Sequence, residues 1–208
     1  MANPKWQYFM HSTVSYITVQ KILLSGKLQI SNKNNYNYIQ EAVYCHYIFD
    51  GLPDLKRWQY YDRFIIVLNP EVAKNLEMYV CDSVSYGFCK EDKESQVMHT
   101  KGKLQKMPSL QKIRDHILQK IEEASHNRSE FISSYIYSHE VLFPEIPIKY
   151  ITAIFVPKQY GVKTKTNRRL ADVQQEELEQ YIANHNLNIK VIQYAKSNTN
   201  FYKYFEQI

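Results

Sequence analysis

The amino-acid sequence predicts an α+β fold, with helices interspersed among strands. A continuous apolar run at residues 63–68 is typical of a fully buried strand, and a second apolar, β-rich run covers residues 148–156. Between these runs, apolar side chains recur at helical spacing over residues 110–121, with charged side chains on the other face. Because no internal repeat or clear boundary interrupts this order, we expect a single domain over residues 1–208.

The composition narrows the class of protein. Of the 208 residues, 44% are hydrophobic and 23% are charged, as in ordinary globular proteins. The net charge of +5 is compatible with a nucleic-acid or acidic-protein partner but does not require one. The three cysteines form no CxxC pair, which favours a reducing compartment and gives no support for a metal site. No signal peptide and no apolar run of about 18 residues is visible, so we expect no membrane span and a cytoplasmic location.

The beginning of the chain predicts a strand, a polar turn, a helix and a second strand. Residues 6–10 form the strand, and His-Ser-Thr at residues 11–13 form the turn. The helix over residues 14–24 is amphipathic, with apolar side chains at positions 17, 22, 23 and 24. Gly26 is placed to end this helix as a left-handed C-cap, after which Leu28 resumes an apolar path.

Three later helices are predicted from their capping residues. Asn69 as N-cap and Pro70 at the first helical position predict a helix directly after the buried strand. Ser109 is the N-cap of the helix that follows it. Asp172, with Gln175 at the capping-box position, predicts a helix that runs to about residue 184.

The remaining segments are assigned by their composition. Residues 42–49 are compatible with either a strand or a short helix, because their periodicity does not distinguish the two. Residues 86–108 are polar and charged, which is typical of an irregular insertion. Residues 189–194 predict a further strand.

Two positions are candidates for chemistry. His11 lies where a strand ends, so rigid flanking elements would let it donate a hydrogen bond to a sugar hydroxyl from a fixed position. Glu140 opens an apolar, strand-like run, where a carboxylate facing a cleft could stabilise a developing positive charge or accept a proton. The structural alternatives are a surface histidine for His11 and a solvent-facing strand end for Glu140, and the residues alone leave both open.

Tyrosine is unusually frequent in this chain, with 18 residues. A tyrosine side chain offers a flat apolar ring with a polar tip, which suits stacking on a planar heterocycle as well as ordinary core packing. Several known nucleotide and hydrolase motifs are missing, since the sequence contains no GxGxxG, GxxxxGK[ST], HExxH or GxSxG.

Taken in order, these features resemble the diphtheria-toxin-like, or PARP-like, branch of the ADP-ribosyltransferases. The motifs that carry the resemblance are His-Ser-Thr at 11–13, Gly-Lys-Leu at 26–28 and Glu-Val-Leu-Phe-Pro at 140–144. In outline they are most similar to the DarT-type toxins and to bacterial effector ADP-ribosyltransferases. The Arg and the Asn-Pro-Met-rich segment of the DarT-type toxins have no convincing match here, which leaves the acceptor open.

The resemblance implies a split antiparallel β-sheet core with flanking helices and an NAD+-dependent transferase, with NAD+ as substrate. Glu140 and His11 would be catalytic. His11, Ser12 and Thr13 would bind the ribose of NAD+, and nicotinamide would stack on Tyr36, Tyr44 or Tyr47. The chain would be a bacterial toxin or effector that modifies a protein or nucleic acid in the bacterial or host cytosol. No metal and no particular oligomeric state is implied.

Two other functions stay open. The first is a non-catalytic nucleic-acid-binding module that uses the basic loop at residues 158–169 and tyrosines as stacking platforms. The structural alternative is that residues 158–169 form a solvent-exposed run of charged side chains that binds nothing. The second is an NAD glycohydrolase of the same fold, which would release nicotinamide without modifying an acceptor.

Overall fold

A computed structural model describes residues 4–28, 43–52, 63–81, 104–124, 140–158, 162–195 and 201–208. The strands are β1 (Gln7–Thr13), β2 (Lys27–Leu28), β3 (Val43–Phe49), β4 (Phe64–Leu68), β5 (Met78–Cys81), β6 (Leu104–Met107), β7 (Glu140–Phe143), β8 (Ile146–Pro147), β9 (Ile151–Pro157) and β10 (Lys190–Tyr194). The α-helices are α1 (Tyr16–Ser25), α2 (Val72–Asn75), α3 (Leu110–Ala124) and α4 (Leu170–Asn184), and two 3-10 helices span Ile148–Tyr150 and Phe201–Gln207. The predicted α+β class is confirmed.

The chain divides into two compact units. The first unit contains residues 1–28, 48–69 and 147–208, and the second contains residues 29–47 and 70–146. The prediction of one domain over the whole chain stays a prediction.

In the first unit the strand order is β10-β9-β4-β1. β4 pairs antiparallel with both β1 and β9, whereas β9 and β10 are parallel. Parallel neighbours need a crossover connection, and α4 supplies it because it lies between β9 and β10 in the chain. This helix buries one stripe that contains Ala171, Leu178 and Ile182.

Aromatic side chains fill the core of the first unit. All five residues of β4 are buried. The ring of Phe155 in β9 lies 5.1 Å from the ring of Phe205, which belongs to the C-terminal 3-10 helix. Phe205 also stacks on Trp6, with 5.9 Å between the ring centroids. The aromatic tail therefore packs against the same strands that the N-terminal segment joins.

In the second unit the strand order is β3-β7-β5-β6, and each neighbouring pair is antiparallel. Ile113 and Ile117 of α3 are completely buried, as the helical spacing of the apolar residues predicted. The backbone N–H of Lys112 donates to the hydroxyl of Ser109 at 3.3 Å, which confirms Ser109 as the capping residue.

Two predicted helix starts are wrong, because each helix begins at a different residue from the one its capping pattern indicated. The N-cap of α2 is Glu71, while the backbone N–H of Asn69 donates to the carbonyl of Tyr150 at 2.7 Å. The N-cap of α4 is Arg169, and the carboxylate of Asp172 in the first turn accepts from Gln193 on β10 at 3.0 Å. Local capping patterns do not reveal such partners.

Two segment assignments also change. β6 lies inside the stretch that was predicted to be irregular, because its pairing with β5 supplies order that its polar composition does not indicate. The predicted strand at 148–156 begins with a 3-10 turn, and regular pairing starts only at Ile151. Residues 42–49, which periodicity left ambiguous, contain the strand β3.

Candidate active site

His11, Ser12 and Thr13 are the last three residues of β1, and all three are half-buried. Each of them pairs with β4, with Ser12 opposite Ile65 in the antiparallel register. The prediction of a polar turn at these residues is therefore wrong, since ladder pairing extends through Thr13. The consequence for the site is favourable, because a paired strand holds the backbone of His11 in place.

The chain turns from β1 into α1 through side-chain and backbone hydrogen bonds. The hydroxyl of Thr13 accepts from the backbone N–H of Ser15 at 3.3 Å, and Ser15 is the N-cap of α1. At the other end, Gly26 adopts φ 74°, the left-handed conformation that glycine tolerates best. Its carbonyl accepts from the N–H of Ile148 at 2.9 Å. The predicted order of strand, helix and glycine cap is confirmed.

The buried face of α1 differs from the predicted one. Val19, Ile22 and Leu23 are buried, whereas Ile17 and Leu24 are 61% and 72% exposed. Apolar residues occur on both faces of this short helix, so periodicity alone did not identify the face that packs.

Two tyrosine hydroxyls fix α1 against α4. Tyr16 donates to the carboxylate of Glu177 at 2.8 Å, and Tyr181 donates to the carbonyl of Leu23 at 3.2 Å. Burial, reinforced by the nearby carboxylate of Glu177, raises the pKa of Tyr16. The helix that follows the His-Ser-Thr segment is thus held near both of its ends.

Glu140 is the first residue of β7, as predicted, and the register of β7 with β3 defines its neighbours. Glu140 pairs with His46, and Leu142 pairs with Tyr44. Positions directly opposite each other in an antiparallel pair lie on the same face of the sheet, and alternate positions share that face. One face of this strand pair therefore carries positions 44, 46, 140 and 142.

The opposite face of β3 is part of the core. Val43, Cys45 and Tyr47 are buried, with Tyr47 only 1% exposed. Burial raises the pKa of the Cys45 thiol, and it raises the pKa of Tyr47 to about 12 although the Arg114 guanidinium opposes that rise. Among the predicted tyrosines, Tyr44 is half-buried, Tyr47 is buried and Tyr36 lies outside the described residues.

Arg114 on α3 is 5% exposed, although the helical pattern placed it on the polar face. Its guanidinium donates to Gln111 at 2.8 Å, and the amide of Gln111 donates in turn to Asp115 at 2.6 Å. Burying a charge is unfavourable unless polar partners compensate for lost hydration, and this chain of hydrogen bonds supplies part of that compensation.

The face that carries positions 44, 46, 140 and 142 continues to the far strands of this unit, with Leu142 buried on it. Tyr79 pairs with Leu142 on one side and with Lys106 on the other. Lys106 and the hydroxyl of Tyr79 both donate to the carboxylate of Glu77, and the hydrogen bond from Lys106 is the main reason that the pKa of Glu77 is lowered. These three side chains satisfy one another, and Glu77 and Lys106 are exposed, which makes them a surface cluster.

Part of the basic loop is ordered by its own contacts. Lys163 and Arg169 form a bridge between two extended segments, and Lys163 also donates to the side chain of Asn167 at 2.9 Å. Arg168 forms an ion pair with Glu176 on α4. The charge of Arg168 is therefore balanced within the loop and helix, which weakens the case for a phosphate-binding run.

The sequence reasoning missed His46. Its strand was ambiguous between two conformations, and its pairing with Glu140 depends on a register between segments far apart in the chain. The available signal was the alternation of apolar Val43, Cys45 and Tyr47 with Tyr44 and His46, which is typical of a strand with one buried face.

Two further properties concern the described residues only. They contain no group of three or more His, Cys, Asp or Glu side chains arranged to hold a metal ion. None of their helices is long and apolar enough to cross a membrane.

No family model matches the sequence, and no curated protein matches it. Among solved structures, the chain is similar to Thermus sp. 2.9 DarT in complex with carba-NAD+, with a TM-score of 0.48 and 12% identity over 92% of this chain and 97% of that one. It is also similar to Thermus sp. 2.9 DarT in complex with NAD+, with a TM-score of 0.46 and 11% identity over 91% and 97% of the two chains.

Proposed function

We propose that the protein is an NAD+-dependent ADP-ribosyltransferase. The observation that supports the proposal is that the two motif residues lie on paired strands, in the chain order that the resemblance implies. His11 belongs to a strand that leads into a glycine-capped helix, and Glu140 opens a strand in an antiparallel sheet. Both backbones are held by strand pairing, so neither residue depends on a loop for its position.

In this proposal His11 donates a hydrogen bond to the ribose of the nicotinamide half. Thr13 supports the segment through its hydrogen bond to Ser15. Ser12 is the weaker ribose-binding candidate of the segment, since side chains alternate along β1 and its side chain lies on the other face from that of His11. Tyr44 is the preferred stacking partner for nicotinamide, because it is half-buried and shares a sheet face with position 140. Tyr47 is a weaker candidate, since it is buried on the other face.

Glu140 stabilises positive charge on the ribose as the bond to nicotinamide lengthens. The electron pair of that bond goes to the nicotinamide nitrogen and neutralises the pyridinium. An acceptor nucleophile then forms a bond to the ribose carbon and releases its proton. The reaction therefore yields one nicotinamide, one proton and one ADP-ribosylated acceptor for each NAD+ consumed.

The test is to incubate the protein with NAD+ labelled in its adenylate phosphate and, in separate reactions, with cell lysate, DNA or RNA. We expect label on a macromolecule in at least one reaction. Glu140→Gln should reduce the transfer rate by about 10²–10³, because one electrostatic contact to the transition state is lost. The unfolding transition of this variant should match that of the wild type.

The same experiment separates the alternatives. Nicotinamide release without a labelled acceptor in any reaction would identify a glycohydrolase. Salt-dependent binding to DNA or RNA without saturable NAD+ binding would identify a nucleic-acid-binding module. Unchanged transfer by Glu140→Gln would remove Glu140 from the mechanism.

The biological setting is also a proposal. A bacterial toxin or effector that modifies a protein or a nucleic acid in the cytoplasm is consistent with the motif order and with the +5 net charge. The labelled fraction identifies the acceptor class directly, since nuclease or protease treatment removes the label from only one of them.

A further inference from the structure

His46 lies directly opposite Glu140 in the pairing of β3 with β7. The two residues are far apart in the sequence, yet they are directly paired in the antiparallel register of β3 and β7. Side chains at such opposed positions have Cβ atoms about 4.5–5.5 Å apart, within reach of a hydrogen bond between an imidazole and a carboxylate.

The alternation of β3 sets His46 apart from the core residues beside it. Its neighbours Cys45 and Tyr47 are buried on one face, whereas His46 and Tyr44 belong to the other face and are half-buried. The Nδ1 atom of His46 is shielded from solvent. A partly shielded imidazole has few orientations open to it, and its strand register places it opposite position 140.

We propose that His46 is a positioning residue for Glu140, whose carboxylate it orients by a hydrogen bond from its ring. The proposal rests on the function proposed above, because Glu140 needs a fixed orientation only if it acts on the ribose. A carboxylate at the first residue of a strand has a mobile side chain unless a neighbour restrains it, and misplacement by about 1 Å can reduce a rate by up to about 10²-fold.

Three variants test this role. His46→Leu removes the ring nitrogens and keeps apolar bulk, and His46→Gln keeps an N–H donor. Cys45→Ser is the matched control, since it alters the same strand on its buried face. We expect His46→Leu to lower kcat roughly tenfold or more with little change in KM for NAD+. His46→Gln should recover most of kcat, and Cys45→Ser should leave the kcat of the folded protein unchanged.

A double-mutant cycle keeps this test separate from the test of the function. His46→Leu, Glu140→Ala and the double variant are compared by their shifts in melting temperature, which need no activity, and Glu140→Ala is used because it removes the hydrogen-bond acceptor that Glu140→Gln would keep. If the residues touch, the shifts are not additive. Additive shifts would overturn the proposal whatever the enzyme does.

The ADP-ribosyl transfer rates of the variants then show whether the positioning role of His46 or the proposed function of Glu140 is wrong. If Glu140→Gln loses transfer while His46→Leu keeps wild-type kcat, the positioning role is wrong and the proposed function stands. If Glu140→Gln keeps full transfer, the proposed function of Glu140 is wrong, and any coupling that remains in the melting temperatures is structural only.

Discussion

β4 in the first unit and β3 in the second unit are both antiparallel strands, but they are buried in different ways. Every residue of β4, from Phe64 to Leu68, is buried. In β3 the buried positions Val43, Cys45 and Tyr47 alternate with half-buried Tyr44 and His46. A strand whose two faces are both covered is a continuous apolar run, whereas a strand with one covered face alternates.

This difference separates the scaffold from the site. β4 offers no face to a ligand, and its role is to fix β1, whose last three residues include His11. In β3 the face with Val43, Cys45 and Tyr47 is buried, whereas the other face is half-buried at Tyr44 and His46, next to the position of Glu140, and becomes buried at Ile48. Polar candidates are therefore expected where the alternation is clear and not where the hydrophobic run is longest.

The largest effect should come from β4, where adjacent residues face opposite sides and both are buried. Ile65→Ala and Ile66→Ala are each expected to lower the free energy of unfolding by about 2–5 kcal/mol, because each leaves a cavity in a packed layer. Urea unfolding measures both. A loss below about 1 kcal/mol at either position would show that one face of β4 is not part of the core.

In β3 we expect a smaller loss of stability, and only at the buried residues that alternate with Tyr44 and His46. Cys45→Ser should lower the free energy of unfolding by about 1–3 kcal/mol, because it buries a hydroxyl in place of a thiol. Tyr44→Leu should leave stability nearly unchanged and raise KM for NAD+ roughly tenfold, since stacking on the ring is lost. Equal destabilisation by the two variants, with KM unchanged, would contradict the division between the two faces.

The smallest effect on stability should come from Tyr16 and should be seen only at alkaline pH. Burial and the Glu177 carboxylate raise the pKa of Tyr16, so the folded chain keeps a proton that the unfolded chain releases. This stabilisation is complete below the unfolded pKa of about 10 and is lost as the pH rises through the folded pKa. As the pH rises above about 10, the wild type should lose stability more steeply than Tyr16→Phe. Identical pH profiles would mean that the phenol does not hold its proton more tightly in the fold.

Much of the fold could be predicted wherever a local cause decides the structure. The apolar run of β4, the cap of α3 at Ser109 and the glycine end of α1 at Gly26 are all confirmed. The errors occur where a distant partner competes with a local signal. The N-caps of α2 and α4 are Glu71 and Arg169, and the carboxylate of Asp172 in the first turn of α4 accepts from Gln193 on β10.

The candidate site follows the same rule. Motif order was enough to select His11 and Glu140. Glu140 opens a strand as predicted, whereas His11 lies within β1 and not in the turn that was predicted after it. The chemical roles of these residues stay predictions. His46 could not be selected, because nothing local links it to a residue so far along the chain.

The sequence by itself determined that a strand begins the chain, that a helix ending at a glycine follows it, and that Glu140 opens a later strand. These depend on residue types within a few positions of one another, through hydrophobic periodicity and capping. Only the tertiary structure decided that Glu140 lies opposite His46, that Tyr44 and Tyr47 belong to different faces, and that Arg114 is buried. The physical reason is that strand register and burial depend on which segments pair, and a single residue of slip would move every side chain of β3 to the other face.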